Sequence, residues 1–145
     1  GNNAGWEPHK SIEDSKEILH TVFMGNEGVF AMILKENNSL VGSIGIIPDP
    51  KRENPRTRML GYWLKECHWG KGIASEATHA VLDYGFNVLG LHLISANCYP
   101  HNTRSRHLLE RHGFVYEGIL HEAETTYDGH IYDHLCFYLK KEMLR

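Results

Sequence analysis

Apolar residues in this chain are arranged in two ways, as short continuous runs and at a spacing of three and four residues. The first arrangement predicts strands and the second predicts helices. Runs rich in β-branched and aliphatic residues cover Val29–Leu34 and Leu40–Ile47, on either side of Asn37-Asn38. Short apolar runs that flank an asparagine pair are typical of two strands joined by a hairpin. Two more runs, residues 59–64 and 91–98, predict a third and a fourth strand.

Helical periodicity appears after the third strand and again after the fourth. Apolar residues recur three and four positions apart at Ile73, Ala77, Ala80, Val81 and Tyr84. This helix is predicted to run to about Val88, and Gly90 ends it. A shorter helix is predicted to begin at a cap formed by Asn102 or Thr103 and to end at Gly113.

The two ends of the chain complete the pattern. Ser11, followed by Asp14 three residues later, is a helix-start signature that predicts a helix to about Phe23. Residues 114–124 and 130–139 predict two strands around Asp128-Gly129, a pair typical of a type I′ hairpin turn. The predicted order is helix, three strands, helix, strand, helix and two strands. No repeat or internal linker interrupts it, which predicts one α/β domain with a mixed sheet over residues 1–145.

Composition narrows the class of protein. A net charge of −3 gives no broad basic surface, so nucleic acid is not expected as a partner. No apolar stretch approaches the length of a membrane span and no signal peptide is visible, so no membrane partner is expected. The 3 cysteines form no C-x-x-C pair, which favours a reduced, cytoplasmic protein. The 11 histidines show no metal-ligand spacing, so no metal is expected.

A glycine-rich turn joins the third strand to the long helix and predicts an anion site. Gly70 and Gly72 allow the backbone to approach a ligand, and the free N–H groups of the first helical turn point at it. The expected ligand is a phosphate or pyrophosphate. The turn matches neither the nucleoside-triphosphate loop G-x-x-x-x-G-K-[ST] nor the dinucleotide fingerprint G-x-G-x-x-G.

Two motifs resemble one known family. The turn Trp69-Gly70-Lys71-Gly72-Ile73-Ala74 is similar to the acetyl-coenzyme A loop [QR]-x-x-G-x-[GA] of the GNAT superfamily of N-acetyltransferases, with Trp69 at the first position. The form W-G-K-G-x-A after Tyr-Trp-Leu resembles the ribosomal-protein branch, which acetylates protein N-termini. Residues 100–114 are similar to the coenzyme-side helix of the superfamily, with Asn102, Ser105 and Gly113-Phe114 in register.

The resemblance covers nearly the whole chain and implies the GNAT fold. That fold is an α/β structure whose twisted, mostly antiparallel sheet is split between the family's fourth and fifth strands and flanked by helices. The family usually begins with a strand and a helix that are expected to be missing here, since residues 1–10 resemble the segment leading into its second helix. The edge of Val29–Leu34 would then be covered by upstream residues or by a partner chain.

The resemblance implies acetyl-CoA as co-substrate and assigns residues to it. The end of the family's fourth strand would splay from its neighbour and pair with pantetheine, while the glycine turn would bind the pyrophosphate. Lys71 would add a positive charge near the phosphates, or would be a solvated loop lysine. The residues expected to bind the coenzyme are Tyr62, Trp63, Leu64, Trp69, Gly70, Lys71, Gly72, Ile73, Ala74, Asn102 and Ser105.

The catalytic groups follow one branch of the superfamily. The position that carries a catalytic Tyr in many members is Leu109 here, and the position that carries a catalytic Glu in some members is Asn97. The ribosomal-protein branch implies Ser105 as the group that faces the departing thiolate and Glu124 as the base. Period-two alternation places Glu122 on the same face, so either carboxylate could be the base, and Ser105 could only cap its helix. A carboxylate base would need a raised pKa or a relaying water.

Three functions stay open from the sequence. The first is direct acetyl transfer to a primary amine, with a protein N-terminus as the favoured acceptor and a homodimer as one arrangement of the chain. The second is a polyamine or amine-antibiotic acetyltransferase, for which Glu66, Glu122, Glu124 and Asp128 could supply an acidic groove. The third is an acyl-CoA sensor without catalysis. Trp6, Trp63 and Tyr62 could line the acceptor groove or belong to the core.

Overall fold

A computed structural model describes residues 11–13, 19–23 and 28–144 of the 145-residue chain. Trp6, the residues before Ser11 and the middle of the predicted first helix lie outside these ranges. Within them, the strands are β1 (Ser11–Glu13), β2 (Leu19–Phe23), β3 (Val29–Leu34), β4 (Leu40–Ile47), β5 (Thr57–Leu64), β6 (Leu93–Cys98), β7 (Val115–Thr125) and β8 (Ile131–Lys140). The α-helices are α1 (Ile73–Asp83), extended by a π-helical turn over Tyr84–Val88, and α2 (Thr103–Arg111).

The described strands form one mixed sheet in the order β1-β2-β3-β4-β5-β6-β8-β7. Neighbours are antiparallel everywhere except between β5 and β6, which are parallel. A parallel pair needs a crossover connection, and the segment that contains α1 supplies it. The predicted mixed, mostly antiparallel sheet is therefore confirmed.

The sheet is split along the second half of β5. Pairing of β5 with β6 runs only from Thr57 opposite Leu93 to Leu60 opposite Ala96. Pairing of β5 with β4 continues to Leu64. Residues 61–64 therefore keep one neighbour and leave the other, which confirms the split expected from the family resemblance.

The predicted N-terminal helix is wrong wherever the structure describes it. Ser11–Glu13 and Leu19–Phe23 are two strands that pair with each other in antiparallel register. Thr, Val and Phe at positions 21–23 favour a strand, and a capping signature cannot outweigh pairing with an adjacent sheet. The structure also corrects the expectation that the edge of Val29–Leu34 would be covered by upstream residues or by a partner chain. β2, which belongs to this chain, pairs with that edge.

The core lies around the central strands. Three or more consecutive residues are buried in β3 and in β4, and successive side chains point to opposite faces, so both faces of this part of the sheet are covered. α1 packs against β4, and α2 packs against β6. Val41, Ile46, Val81, Phe86 and Ile94 belong to one cluster of buried side chains. This packing fixes the two helices on which the functional residues lie.

Candidate active site

A cleft of about 670 Å³ opens where β5 leaves β6. Its walls are the end of β5, the glycine turn with the first residues of α1, and α2 with the loop before it. Of the residues expected to hold the coenzyme, all except Lys71 line this cleft. The lining residues are Tyr62, Trp63, Leu64, Trp69, Gly70, Gly72, Ile73, Ala74, Ser75, His101, Asn102, Thr103, Arg104, Ser105, Leu108 and Arg111.

The glycine turn has a backbone that other residues would adopt with strain. Gly70 and Gly72 both have a φ of 79°, in the left-handed region. Gly72 is the N-cap of α1, and a Cβ atom added to either glycine would have no protein atom within 4 Å. The turn is therefore open on the side of the cleft, and the N–H groups of the first helical turn are available to an anion there. A phosphate group fits this arrangement.

Trp69 connects the turn to both walls of the cleft. Its indole N–H donates a hydrogen bond to the Leu64 carbonyl oxygen at 2.9 Å. The Arg104 guanidinium of α2 lies 4.6 Å from the centre of the indole ring, a cation–π distance. Trp69 thus stabilises the turn at the place where the family pattern has Gln or Arg. Lys71 is exposed and is not among the residues that line the cleft.

The end of β5 directs backbone polar groups into the split. The Lys65 N–H donates to the Val41 carbonyl oxygen at 2.9 Å, on the side of β4. Because the direction of backbone groups alternates along a strand, Trp63 also faces β4, while Tyr62 and Leu64 face the split. Their N–H groups are positioned to bind an extended chain such as pantetheine.

Asn102 and Ser105 shape the start of α2. The Asn102 side-chain oxygen accepts a hydrogen bond from the Ser105 N–H at 3.0 Å, so the predicted cap is confirmed. Ser105 is 9% exposed. Burial raises the pKa of the Tyr62 hydroxyl, and hydrogen bonding with Ser105 and the charge of Arg104 oppose that rise. Ser105 and Tyr62 therefore meet across the split.

A second cleft of about 370 Å³ lies on the other side of this meeting point. Tyr62, Asn102 and Ser105 line both clefts. The second cleft also contains the two positions at which other superfamily members are expected to carry a catalytic Glu and Tyr, here Asn97 and Leu109. Its lining also includes three ionisable groups that contact one another, Tyr99, Glu124 and His134.

The hairpin between β7 and β8 decides which side chains accompany Glu124. The hairpin is confirmed, but its turn is not type I′, because Asp128 lacks the positive φ which that turn requires. The Thr126 N–H donates to the His130 carbonyl oxygen at 2.8 Å, which leaves a three-residue loop with Gly129 at a φ of 88°. Glu124 consequently lies opposite Tyr132, and His134 lies on the same face two residues further on.

The same hairpin separates the two candidate carboxylates. Register shifts between Leu120 and Glu124, where Glu122 has a φ of 48°. This bulge interrupts the alternation that was expected to place Glu122 and Glu124 on one face. Glu122 is exposed, its N–H donates to the Asp133 carboxylate at 2.8 Å, and only Glu124 of the two lines a cleft.

Glu124 accepts two side-chain hydrogen bonds. His134 Nε2 lies 2.9 Å from Oε1, and the Tyr99 hydroxyl donates to Oε2 at 2.9 Å. The bond from His134, followed by the bond from Tyr99, lowers the pKa of the Glu124 carboxyl, whereas the sequence-based hypothesis of a base needed a raised pKa or a relaying water. Glu124 is therefore an ionised carboxylate at neutral pH. It can hold an ammonium group, and it is a weak proton acceptor on its own.

Tyr99 and His134 are site residues that the sequence reasoning missed. The bond to Glu124 is the largest cause of the raised pKa of the Tyr99 hydroxyl, which stays protonated and remains a donor. The Tyr99 ring also packs against Tyr132, with ring centres 4.7 Å apart. If the hairpin had been predicted with a three-residue loop instead of a type I′ turn, His134 would have been placed beside Glu124. The length of the turn is therefore the feature that could have revealed this contact.

A split sheet that presents an open glycine turn beside a cleft containing Glu124 has the arrangement expected of a group-transfer enzyme. The chain belongs to the GNAT acetyltransferase family, since residues 3–115 match the family described as Acetyltransferase (GNAT) domain. It is therefore an acetyl-CoA-dependent N-acetyltransferase, and its acetyl acceptor is an amine.

Two curated relatives illustrate the breadth of the family. The chain is 34% identical over 138 residues to the uncharacterized N-acetyltransferase p20 of Bacillus licheniformis, covering 92% of this chain and 76% of that protein. It is 32% identical over 136 residues to the ribosomal-protein-serine acetyltransferase of Escherichia coli, covering 90% and 72%.

Solved structures show the same fold. A GNAT-family acetyltransferase from Bacillus anthracis gives a TM-score of 0.70 at 33% identity, covering 82% of this chain and 69% of that one. Mycobacterium smegmatis RimJ in complex with CoA-disulfide gives 0.67 at 31%, covering 79% and 54%. A dodecameric spermidine N-acetyltransferase from Vibrio cholerae gives 0.68 at 28%, covering 79% and 64%.

Two further features are absent from the described ranges. No helix within them is long and apolar enough to span a membrane. No group of three or more His, Cys, Asp or Glu side chains there is arranged to hold a metal ion.

Proposed function

We propose that this enzyme transfers the acetyl group of acetyl-CoA directly to the primary amine of a protein N-terminus. The observation that carries the proposal is the junction of the two clefts. Ser105 lies at that junction, and Glu124 lies beyond it in the second cleft. Donor and acceptor can therefore enter from opposite sides and meet at Ser105. Cys67 lines neither cleft, and burial raises the pKa of the Cys98 thiol in the second cleft, so neither cysteine is a ready nucleophile. Direct transfer is therefore favoured over an acetylated-cysteine intermediate.

Each step of the proposed reaction is assigned to residues of the two clefts. The turn around Gly72 binds the pyrophosphate, and the N–H groups at the end of β5 hold pantetheine, with one of them facing the thioester oxygen as its negative charge develops. Glu124 holds the ammonium form of the acceptor and belongs to the base that removes its proton through water. The neutral amine attacks the thioester carbon and the C–S bond breaks. One remaining proton of the attacking nitrogen passes to the departing thiolate, to which Ser105 donates a hydrogen bond.

A polyamine is the second candidate acceptor. The ionised Glu124 and the Tyr99 and Tyr132 rings beside it form a surface that suits a cationic chain. A 28% identical structural relative is a spermidine N-acetyltransferase, and a 32% identical relative acts on a ribosomal protein. The protein N-terminus is favoured because the latter similarity is higher and extends over more of the chain.

The test is product formation with two matched panels of acceptors. Peptides of about ten residues that differ only in their first residue are compared with spermidine, spermine and putrescine, and acetylated products are identified by mass spectrometry. Preferential acetylation of peptide α-amines supports the proposal, with a peptide blocked at its N-terminus as control. Acetylation of polyamines alone would replace the first candidate by the second, and the absence of any turnover would overturn both.

Assembly and compartment are proposals that other observations support. The dodecameric relative favours self-association, and a homodimer is the simplest form, which sedimentation velocity would detect. Cys67, Cys98 and Cys136 are all free thiols, which favours a reducing compartment such as the cytoplasm.

A further inference from the structure

His134 is the only imidazole that contacts Glu124 among the described residues, and it lines the second cleft. Its side chain is 17% exposed, whereas that of Glu124 is 41% exposed. Nε2 lies 2.9 Å from Oε1 of Glu124, so Nε2 carries a hydrogen and donates it to the carboxylate. The lone pair of a neutral His134 ring is then on Nδ1.

The hydrogen bonds of Glu124 suit a group that orients the His134 ring. Both of its oxygens already accept hydrogen bonds, from His134 and from the Tyr99 hydroxyl. A proton bound to this carboxylate would compete with those donors. A carboxylate that fixes the tautomer of an imidazole, by contrast, makes the other ring nitrogen a defined base and stabilises the imidazolium once it forms.

We propose that His134 receives the proton of the acceptor amine, and that Glu124 and Tyr99 hold its ring in the reactive tautomer. This inference rests on the proposed acetyl transfer and deepens it by completing the base that contains Glu124. The ammonium group loses one proton, which passes through water in the second cleft to Nδ1. An N–H bond of the ammonium breaks, the Nδ1–H bond forms, and Nε2–H remains donated to Glu124. After transfer, the imidazolium returns the proton to solvent.

The other titratable groups around His134 do not offer the same role. Tyr99, from the end of β6, has its ring centre 5.8 Å from that of His134 and acts as a donor to Glu124. Tyr132, on β8, and His101, before α2, lie beyond the Tyr99 ring, with ring centres 4.7 Å and 5.4 Å from it. Glu124, on β7, is the charged group in direct contact.

The principal variant is His134→Gln, because the glutamine amide can still donate to Glu124 but cannot take up a proton. With acetyl-CoA and the best acceptor peptide, kcat/KM at neutral pH is expected to fall about 10²-fold, the lower end of the usual effect of general-base loss. The part of the pH profile that depends on an imidazole is expected to disappear. In His134→Ala, added imidazole is expected to restore part of the rate in proportion to its neutral form.

The matched control is His121→Gln. His121 also pairs with a carboxylate of this hairpin, that of Asp133 at 3.1 Å, but it lines neither cleft. The His121→Gln variant should keep the rate and the pH profile of the unmodified protein. Calorimetry with coenzyme A should show unchanged affinity in all variants, which establishes that they are folded.

Three results would overturn the inference. If His134→Gln keeps the rate and the pH profile of the unmodified protein, His134 holds no proton. If it keeps the rate while His134→Ala is inactive and not rescued by imidazole, His134 only positions Glu124. If the unmodified protein acetylates no primary amine, the proposed function fails together with the inference, whereas the first two results leave the proposed function intact.

Discussion

Glu124 is the residue at which the proposed chemistry is tested most directly. Glu124→Gln keeps the shape of the side chain and removes its charge, so both the hold on the ammonium and the support of His134 are lost. We expect kcat to fall about 10²-fold or more at neutral pH. The loss should shrink as pH rises, because more of the acceptor amine is then already neutral. Initial rates with a saturating peptide between pH 6.5 and 9.5, a range of about three units around common amine ionisation, would measure it.

Glu122→Gln is the control for that variant. It makes the same chemical change two residues earlier, at an exposed position outside both clefts. Its rate should match that of the unmodified protein. A loss in Glu122→Gln with full activity in Glu124→Gln would assign the supporting carboxylate to Glu122, and two unaffected variants would show that neither carboxylate takes part in removing the proton.

Residues of this site differed in how far the sequence could reveal them. Glu124 and Ser105 were candidates because short motifs around them resemble the family, although the sequence left Glu122 open as a second carboxylate. His134 and Tyr99 do not, because their contact with Glu124 depends on one residue of turn length in the hairpin. A shift of one residue moves every side chain of a strand to its other face. The bulge at Glu122 also changes which side chains share a face, and the sequence of residues 120–124 does not predict it.

At the scale of elements, the turn that opens α1 should decide coenzyme affinity. Gly72→Asp adds a side chain and a negative charge at a position where the backbone is left-handed and the cleft is open. Both changes oppose a bound pyrophosphate, so calorimetry should show affinity for coenzyme A reduced by about tenfold or more, equivalent to about 1.4 kcal/mol.

Gly129→Asp separates that effect from backbone strain. Gly129 also has a positive φ and no protein atom within 4 Å of an added Cβ atom, but it lies at the hairpin tip and lines neither cleft. The variant should lose stability without losing coenzyme affinity. A folded Gly72→Asp protein with normal affinity would show that the pyrophosphate binds elsewhere.

Elements with strong local signals were predicted with accurate bounds. β3 and β4 have the bounds that their apolar runs gave, and α2 has the predicted cap. One error fell on Ser11–Glu13 and Leu19–Phe23, where a local helix signature competed with strand pairing. The strand pairing there depends on the edge of β3. The sequence alone did not show which segment pairs with that edge.

At the scale of the whole molecule, acid should destabilise the fold through His112, which follows α2. Burial, followed by the charges of His79 and Arg111, lowers the pKa of this imidazole. Its Nε2 also lies 2.8 Å from the Ser75 hydroxyl of α1. Below about pH 6.5 the unfolded chain binds the proton more readily than the folded one, so the free energy of unfolding decreases as pH falls.

His112→Gln should lessen that decrease, because glutamine can bond to Ser75 without binding a proton. Urea unfolding at about pH 7.5 and pH 5, on either side of the ordinary histidine pKa, would measure the difference. His107→Gln, at an exposed position of the same helix, should show the decrease of the unmodified protein. Equal decreases in all three proteins would exclude His112 as the acid-sensitive group.

The half-paired end of β5 gives this sheet an open strand position that a small molecule can occupy. Tyr62 and Leu64 direct their N–H groups into the split, so an extended donor lying there acts as a detachable strand. In the free protein these two amides should exchange their hydrogens with solvent faster than that of Trp63, which is paired with β4. Saturating coenzyme A should slow both, and the enzyme would thereby become most rigid at the moment when it is ready to react.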